Sequence, residues 1–202
     1  MNKNFFNNIK NKKKICIISG KNVSKNKIIL NFIRKIKKED SKIFLKLKPY
    51  PEYQEIKHLQ KKIEFFDPKI IISIGGGSVL DCSKIIYQNI SCKKLILIPT
   101  TAGSGAEATN FAVLYKNKNK YSIKIKKKFE FYLFPQLTIN VPKSVRSSSA
   151  FDALAQCIES VLSQGSNKKS ILYSQKGINL LINNMYSYYK NPNFINSKLM
   201  LL

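Results

Sequence analysis

Five of the eight glycines in this 202-residue chain lie in two short stretches, and each stretch follows an apolar run. Gly75, Gly76 and Gly77 form the first stretch, while Gly103 and Gly105 belong to the second. Glycine after a buried strand lets backbone N–H groups approach a phosphate closely, above all where a helix begins at the same point. The two stretches therefore favour a nucleotide-binding site.

Hydroxyl side chains accompany both glycine stretches. Ser78 follows the first, and Thr100, Thr101 and Ser104 lie in the second. Because the carboxyl ends of parallel strands meet at one edge of a sheet, both loops are expected to line the same crevice. Three successive glycines also form tight strand–helix corners, and the run is not the G-x-G-x-x-G fingerprint. The presence of two such loops favours the nucleotide site over a simple corner.

A third group of polar side chains has the spacing of one helix face. Asp152, Gln156 and Glu159 occupy positions i, i+4 and i+7. A carboxylate and an amide oxygen on a solvated face are suitable ligands for a divalent cation. Ser149 with Asp152 also resembles a capping pair at a helix start, so both interpretations stay open. His58, the single histidine, lies among charged residues and is expected at the surface.

Short apolar runs alternate with amphipathic segments in the first part of the chain. Strands are predicted at residues 15–19, 43–47, 69–74 and 95–98, and helices at residues 24–38, 52–66 and 79–89. This alternation is typical of a parallel α/β sheet. Residues 111–116 and 121–125 are predicted to form a hairpin on the sheet edge, and residues 137–141 a further strand.

The later part of the chain has only helical patterns. Residues 147–163 and 168–189 are predicted helices, and another begins at residue 194. The fold class is therefore α/β, with a Rossmann-like parallel-sheet nucleotide-binding domain at residues 1–143. Residues 144–202 are expected to begin an all-helical domain.

The formal net charge of +25 raises the question of a nucleic-acid partner. Of the 36 basic residues, all except Arg34 and Arg146 are lysines. Nucleic-acid sites usually combine arginine forks with aromatic stacking platforms, and neither is patterned here. We expect a solvated basic surface and no nucleic-acid partner; a basic nucleic-acid binder is the less favoured alternative.

The four cysteines are scattered, without a C-x-x-C pair, which suits free thiols in a reducing compartment. The first residues are polar and basic and do not resemble an export signal. No apolar run approaches the roughly 20 residues that span a bilayer. The sequence therefore predicts a cytoplasmic protein without a membrane partner.

Three segments together resemble the motifs of one enzyme family. Residues 75–84 read GGGSVLDCSK and resemble its G-G-G-S-x-x-D-x-x-K loop and helix. Residues 98–109 read IPTTAGSGAEAT and resemble its I-P-T-T-A-G-T/S-G-S-E-x-T segment, and residues 152–159, DALAQCIE, resemble its D-A-L-x-H/Q-x-I-E helix. The family is that of the iron-containing (group III) alcohol dehydrogenases, which have the dehydroquinate synthase-like fold.

The resemblance implies an NAD(P) cofactor and assigns residues to it. The residues implied at the cofactor are Gly75, Gly76, Gly77, Ser78 and Asp81 at the first loop, Thr100, Thr101 and Ser104 at the second, and Lys120 near the nicotinamide ribose. The activity implied is hydride transfer between the nicotinamide and a small aldehyde or alcohol.

The resemblance also implies a divalent metal, Fe²⁺ in the first place, that polarises the substrate carbonyl. Asp152 occupies the position of the first metal ligand and Gln156 that of the second. The segments 110–115 and 120–122, together with glutamine at position 156, are similar to a phosphonoacetaldehyde reductase-like subgroup.

Several positions depart from the family pattern. Gly20, beside Lys21, stands where NAD-preferring members often have an aspartate, so NADP is favoured. Tyr50 replaces an asparagine that usually precedes the proline. Family members are longer and carry further histidine ligands, so we expect an incomplete helical domain here. A catalytically inactive remnant that at most binds nucleotide is the alternative, and the family suggests a homodimer.

Overall fold

The computed structural model describes Phe5, Phe6, Ile9, residues 14–37 and residues 40–200. Within these residues the chain forms two compact units. The first consists of Met1–Pro99 and Ala106–Tyr132, and the second of Thr100–Gly105 and Leu133–Leu202. The domain boundary expected between residues 143 and 144 stays a prediction.

Strands and helices alternate through the first unit. The strands are β1 (Ile15–Gly20), β2 (Lys42–Lys46), β3 (Ile70–Gly75), β4 (Leu95–Pro99), β5 (Phe111–Lys116), β6 (Asn119–Lys124) and β7 (Glu130–Phe131). The helices of this unit are α1 (Lys27–Ile36), α2 (Tyr53–Phe66) and α3 (Gly77–Asn89), with a short 3-10 helix at Lys21–Lys25.

Five strands form one parallel sheet in the order β2-β1-β3-β4-β7. The chain passes from β1 outward to β2 and then returns to β3 on the other side of β1. The order therefore reverses between β1 and β3, which is where ligands bind in open α/β sheets. In the described residues, β1, β3 and β4 are buried almost throughout, as expected for strands covered on both faces.

Helices α1 and α2 form because their apolar residues recur at helical spacing. Helix α1 buries Ile29, Phe32, Ile33 and Ile36, and Asn26 caps its start by accepting the N–H groups of Ile28 and Ile29. Helix α2 buries Ile56, Leu59 and Ile63. The α2 residues belong to the apolar core beside the sheet, and the α1 residues are buried as well, so the predicted parallel α/β arrangement is confirmed.

Strands β5 and β6 form the predicted hairpin, but they make a separate two-stranded sheet. Asn117 and Lys118 both have positive φ, which is the geometry of a two-residue hairpin turn. The prediction that this hairpin lies on the edge of the main sheet is wrong. That edge is taken by β7, which pairs with β4.

The second unit is helical apart from its loops. Its helices are α4 (Lys143–Leu162), α5 (Lys168–Lys190) and α6 (Phe194–Leu199), preceded by a 3-10 helix at Pro135–Leu137. The predicted strand at residues 137–141 is wrong, because Leu137 ends a helical turn and Thr138 accepts a hydrogen bond from Tyr188 Oη at 3.1 Å. Arg146 also holds this segment, donating to Ile139 O at 3.3 Å. Side chains of both α4 and α5 therefore bind this segment.

Candidate functional site

The first glycine loop joins β3 to α3 through a close backbone approach. A Cβ added to Gly75 would lie 2.6 Å from Val79 Cβ, so only glycine fits this corner. Gly76 stands at the N-cap of α3 and provides no side-chain hydrogen bond. The first N–H groups of the helix are thus left for another acceptor, and the helix dipole makes an anion favourable there.

Ser78 lies at this corner, in the first turn of α3. Its Oγ is shielded from solvent and has no hydrogen-bond partner among the described residues. A buried hydroxyl without a partner costs free energy, because it loses its bonds to water without replacement. The residues at this corner therefore fit a ligand with oxygen acceptors, such as a diphosphate.

The same corner lies at the topological switch point of the sheet. Gly20 ends β1 and Gly75 ends β3, and these two strands are neighbours in the sheet. A Cβ on Gly20 would meet Val79 Cγ2 at 3.5 Å, an ordinary contact. The carboxyl end of β1, the glycine loop and the start of α3 therefore surround one position.

Asp81 lies one turn further along α3, inside the protein. Its carboxylate pairs with Lys84 Nζ at 2.9 Å and accepts the N–H of Val113 at 3.0 Å. Burial raises the pKa of the Asp81 carboxyl, while Lys84, the bond from Val113 and the charge of Lys120 lower it. These partners belong to the chain itself, so the assignment of Asp81 to the cofactor stays a prediction.

Lys120 lies on β6, where it pairs with Tyr115 of β5, and its side chain is exposed. Its charge is close enough to influence Asp81. The structure thus relates this predicted cofactor residue to α3, the helix that carries the glycine loop.

The second glycine loop packs against α4 within the second unit. Ala102 is buried with Ala150 of α4, and Gly103 has a φ of +144°. A Cβ on Gly103 would lie 2.1 Å from the backbone oxygen of Ser149, so glycine is required here. The structure therefore packs the second motif against α4, the helix that carries the third motif.

The hydroxyl residues of this loop differ in burial. Thr100 is buried, whereas Thr101 and Ser104 are half-buried. Their assignment to the cofactor stays a prediction.

Asp152 and Gln156 share an exposed face of α4. Gln156 Nε2 donates to Asp152 Oδ2 at 2.9 Å. The alternative that Ser149 and Asp152 cap a helix start is wrong, because α4 begins at Lys143, well before them. Rotation of the Gln156 amide group would exchange its nitrogen and oxygen, and a carboxylate oxygen and an amide oxygen would then lie side by side as metal ligands.

Two oxygen donors do not complete a metal site. The described residues include no group of three or more His, Cys, Asp and Glu side chains able to hold a metal ion. Iron sites in proteins require more ligands than Asp152 and Gln156 supply, so the described residues alone do not fit a bound iron.

Sequence reasoning assigned no role to Lys84 and Glu107, although both lie in the recognised motifs. Both are buried, and Lys84 Nζ donates to Ala106 O at 2.8 Å. Burial raises the pKa of the Glu107 carboxyl, against the effects of its own backbone N–H and of Lys84. The signal available was the aspartate–lysine pair three residues apart, a spacing that brings side chains together on a helix.

The fold and site first define a class: a Rossmann-like α/β protein with a helical unit after its sheet. The chain belongs to the iron-containing alcohol dehydrogenase family, since residues 3–142 match the family model. The predicted family and fold class are thereby confirmed. Within the described ranges, no helix is long and apolar enough to cross a membrane.

The chain is also similar in sequence to curated dehydrogenases. The 4-hydroxybutyrate dehydrogenase of Clostridium kluyveri is 30% identical over 152 residues, which cover 66% of this chain and 41% of the relative. Alcohol dehydrogenase 4 of Saccharomyces cerevisiae is 26% identical over 173 residues, which cover 74% of this chain and 44% of the relative. The matches thus span less than half the length of these relatives.

Solved structures share the fold. An iron-containing alcohol dehydrogenase from Thermotoga maritima superposes with a TM-score of 0.84 at 22% identity, covering 99% of this chain and 61% of its own. A sulfoacetaldehyde reductase from Bifidobacterium kashiwanohense, solved in complex with NAD+, gives a TM-score of 0.84 at 20% identity, covering 99% and 59%. At these identities the likeness shows the fold alone.

Proposed function

We propose that this chain binds NAD(P)H at the junction of β3 and α3 and supplies the nucleotide-binding part of an alcohol dehydrogenase or aldehyde reductase. The observation that carries the proposal is the buried Ser78 hydroxyl, which lacks a partner among the described residues and lies at the uncapped start of α3. The NAD+ bound to the sulfoacetaldehyde reductase of the same fold supports a dinucleotide as the ligand.

The backbone and side chains at the switch point would hold the cofactor. The N–H groups of Gly77 and Ser78, with the Ser78 hydroxyl, would bind the diphosphate, aided by the helix dipole. Thr100, Thr101, Ser104 and Lys120 are proposed as further contacts. A bound nicotinamide supplies the hydride that is exchanged with a small aldehyde or alcohol.

Asp152 and Gln156 are proposed as the first ligands of a divalent metal, with Fe²⁺ favoured. A bound metal would polarise the substrate carbonyl. The remaining ligands would lie outside the described residues. Phosphonoacetaldehyde is the proposed substrate to test first, with sulfoacetaldehyde beside it because of the structural neighbour.

Oxidation of NADPH and NADH with these aldehydes, in the presence of Fe²⁺, Mn²⁺ or Zn²⁺, tests the activity. We expect metal-dependent turnover that Asp152→Ala abolishes and that Glu64→Ala, at an exposed acid of α2, leaves unchanged. Cofactor binding without turnover under any of these metals would instead support the alternative of an inactive remnant.

NADP is the proposed form of the cofactor. Gly20 places no carboxylate at the end of β1, and the exposed Lys21 follows it. The 2′-phosphate of NADP would therefore be attracted by the lysine and would not be repelled by an acid.

A side chain at position 20 tests this preference, because a Cβ there would make only an ordinary contact with Val79. Gly20→Asp should weaken NADPH binding by roughly fivefold or more relative to NADH, the effect of about 1 kcal/mol of repulsion. Gly20→Asn is the matched uncharged control; an unchanged ratio in Gly20→Asp contradicts the preference.

The proposed location is the cytoplasm and the proposed assembly a homodimer. Cys16, Cys82 and Cys92 are free and buried, and burial raises the pKa of the Cys82 thiol to about 12. Such protonated thiols behave as small apolar groups and suit a reducing compartment. Light scattering after size-exclusion chromatography measures the assembly directly.

A further inference from the structure

Two charged side chains of α3 are almost completely removed from solvent. Asp81 is 8% exposed and Lys84 is 0% exposed, and Lys84 Nζ lies 2.9 Å from Asp81 Oδ1. A buried ion pair is unfavourable unless further hydrogen bonds satisfy both partners. The surroundings of this pair therefore indicate what it holds.

All the further hydrogen bonds of the pair lead to one segment of the chain. Lys84 Nζ donates to the backbone oxygens of Ala106 at 2.8 Å and Thr109 at 3.4 Å, and to that of Phe111. Asp81 Oδ2 accepts the N–H of Val113 at 3.0 Å. The pair thus fixes residues 106–113, which lead into the hairpin β5–β6.

The hairpin needs such attachment because it is not part of the main sheet. Strands β5 and β6 pair only with each other as a ladder within the described chain, and a lone two-stranded hairpin is marginally stable. Tyr115 N donates to Pro51 O at 2.9 Å, and Gln88 accepts the N–H groups of Lys126 and Lys127. These bonds hold the far end of β5 and the segment that follows β6. The buried charges hold the start of β5.

The hairpin also carries Lys120, the residue proposed to approach the nicotinamide ribose. Lys120 pairs with Tyr115 across the hairpin, and its charge reaches Asp81. Both oxygens of Asp81 already have partners in the protein, one in Lys84 and one in Val113. Asp81 is therefore placed to orient the hairpin without contacting a ligand.

We infer that Asp81 and Lys84 form a clip, here called the α3 clip, that positions the hairpin and its Lys120 for the cofactor without touching the cofactor. Both residues are positioning residues, and the inference rests on the proposed nucleotide site. It changes the expected role of Asp81 from a cofactor contact to an internal anchor. It also gives a role to Lys84.

Hydrogen exchange in the absence of nucleotide tests the mechanical part of the inference. Asp81→Asn keeps the side-chain size, and Lys84→Met keeps most of the stem. Both should speed exchange of the amides of β5 and β6 by about tenfold or more, while β3 and β4 stay protected. Lys124→Met is the matched control, since Lys124 is an exposed lysine of the same hairpin. Unchanged hairpin exchange in Asp81→Asn overturns the inference, and this variant remains informative if Lys84→Met fails to fold.

A double-mutant cycle on NADPH affinity tests the route to the cofactor. Lys120→Met and Asp81→Asn should each raise the Kd about fivefold, and the double variant should be no weaker than the weaker single one, since both act through Lys120. If the fold-change in Kd of the double variant equalled the product of the two single fold-changes, Asp81 would act on the cofactor independently of Lys120, and the inference would be overturned. An unchanged Kd in Lys120→Met would overturn it as well.

The two proposals fail in different ways. If the unaltered chain does not bind NADPH, the proposed nucleotide site is wrong, while the exchange experiment still decides whether the α3 clip holds the hairpin. If NADPH binds and hairpin exchange does not respond, the nucleotide site stands and the clip is wrong.

Discussion

Ser78 and Ser83 lie on the same helix, α3, yet their hydroxyl groups have opposite surroundings. Ser83 Oγ is buried within hydrogen-bond distance of Val79 O, at 2.9 Å, and of Ser73 Oγ, at 2.8 Å. Ser78 Oγ, by contrast, is buried without a partner among the described residues. The Ser83 hydroxyl serves the fold, whereas the Ser78 hydroxyl is the one proposed to bind the diphosphate.

Substitution of these two serines by alanine should therefore have opposite effects. Ser78→Ala should leave the free energy of unfolding unchanged or raise it, and should raise the Kd for NADPH about tenfold, the effect of a hydrogen bond of roughly 1.4 kcal/mol. Ser83→Ala should lower the free energy of unfolding by about 1 kcal/mol and leave the Kd unchanged. Urea denaturation and nucleotide titration of both variants check this. An unchanged NADPH affinity in Ser78→Ala would remove Ser78 from the site.

Glu107 is a buried acid whose charge is not fully compensated. Burial raises the pKa of the Glu107 carboxyl above its ordinary value of 4.5. An acid with a raised pKa binds its proton more tightly in the folded state than in the unfolded state. Its favourable contribution to stability is thus complete below the unfolded pKa and is lost as the pH rises through the folded pKa.

The neutral variant Glu107→Gln should consequently be more stable than the unaltered protein at about pH 7.5, and the difference should shrink as the pH falls toward about 5. Denaturant unfolding at a series of pH values measures this. Glu64→Gln, at an exposed acid of α2, is the control and should show no such trend. A gain in stability for Glu107→Gln that grows on acidification would contradict the assigned cause.

At the junction of β3 and α3, Gly75 at the end of the strand lies close to Val79 in the first turns of the helix. Gly75→Ala would press its Cβ against Val79, 2.6 Å away, and should lower the free energy of unfolding by about 1–3 kcal/mol. Val79→Ala keeps the Cβ of residue 79 but removes its two methyl carbons, which would lie 2.7 and 2.9 Å from the new Cβ, so the double variant should be less destabilised than the sum of the single ones. Additive effects, measured by denaturant unfolding, would show that the contact does not fix the corner.

The sequence predicts helices and strands well where apolar residues recur at regular spacing or form a continuous run. The apolar stripe of α1 and the continuous burial of β3 and β4 are examples, because each follows from the sequence of the element itself. Strand β7 is different: its two residues, Glu130 and Phe131, are exposed and are a strand only because β4 lies beside them. The strand predicted at residues 137–141 fails for a similar reason, since Tyr188 of α5 and Arg146 of α4 bind the backbone oxygens of this segment.

The candidate site was predicted to the extent that its residues lie in continuous motifs. The glycine loop and Ser78 could be located from the sequence, because glycines, strand and helix follow one another directly. The inward direction of Asp81 and Lys84 could not, since it depends on a hairpin more than twenty residues away. Nor could the close approach of Gly103 to Ser149, which joins the second glycine loop to α4.

At the scale of the whole molecule, the two units differ in how much of their apolar surface is covered. The first unit has a filled core between its sheet and helices. In the second, the buried residues of α4 are Arg146 and Ala150, while large apolar side chains such as Phe151 and Leu162 are exposed. The matched relatives are more than twice the length of the segment they share with this chain. The diphosphate site proposed at the start of α3, in the first unit, is therefore best suited to a direct test.

Titration with NADPH, followed by the fluorescence of the reduced nicotinamide, tests whether the start of α3 is a nucleotide site. The chain should bind NADPH saturably, with one site. Gly77→Asp should keep the fold, because a carboxylate at a helix start is favourable, yet weaken binding at least about tenfold by repelling the diphosphate. Absence of saturable binding to the unaltered chain, or equal affinity in Gly77→Asp, would contradict the account.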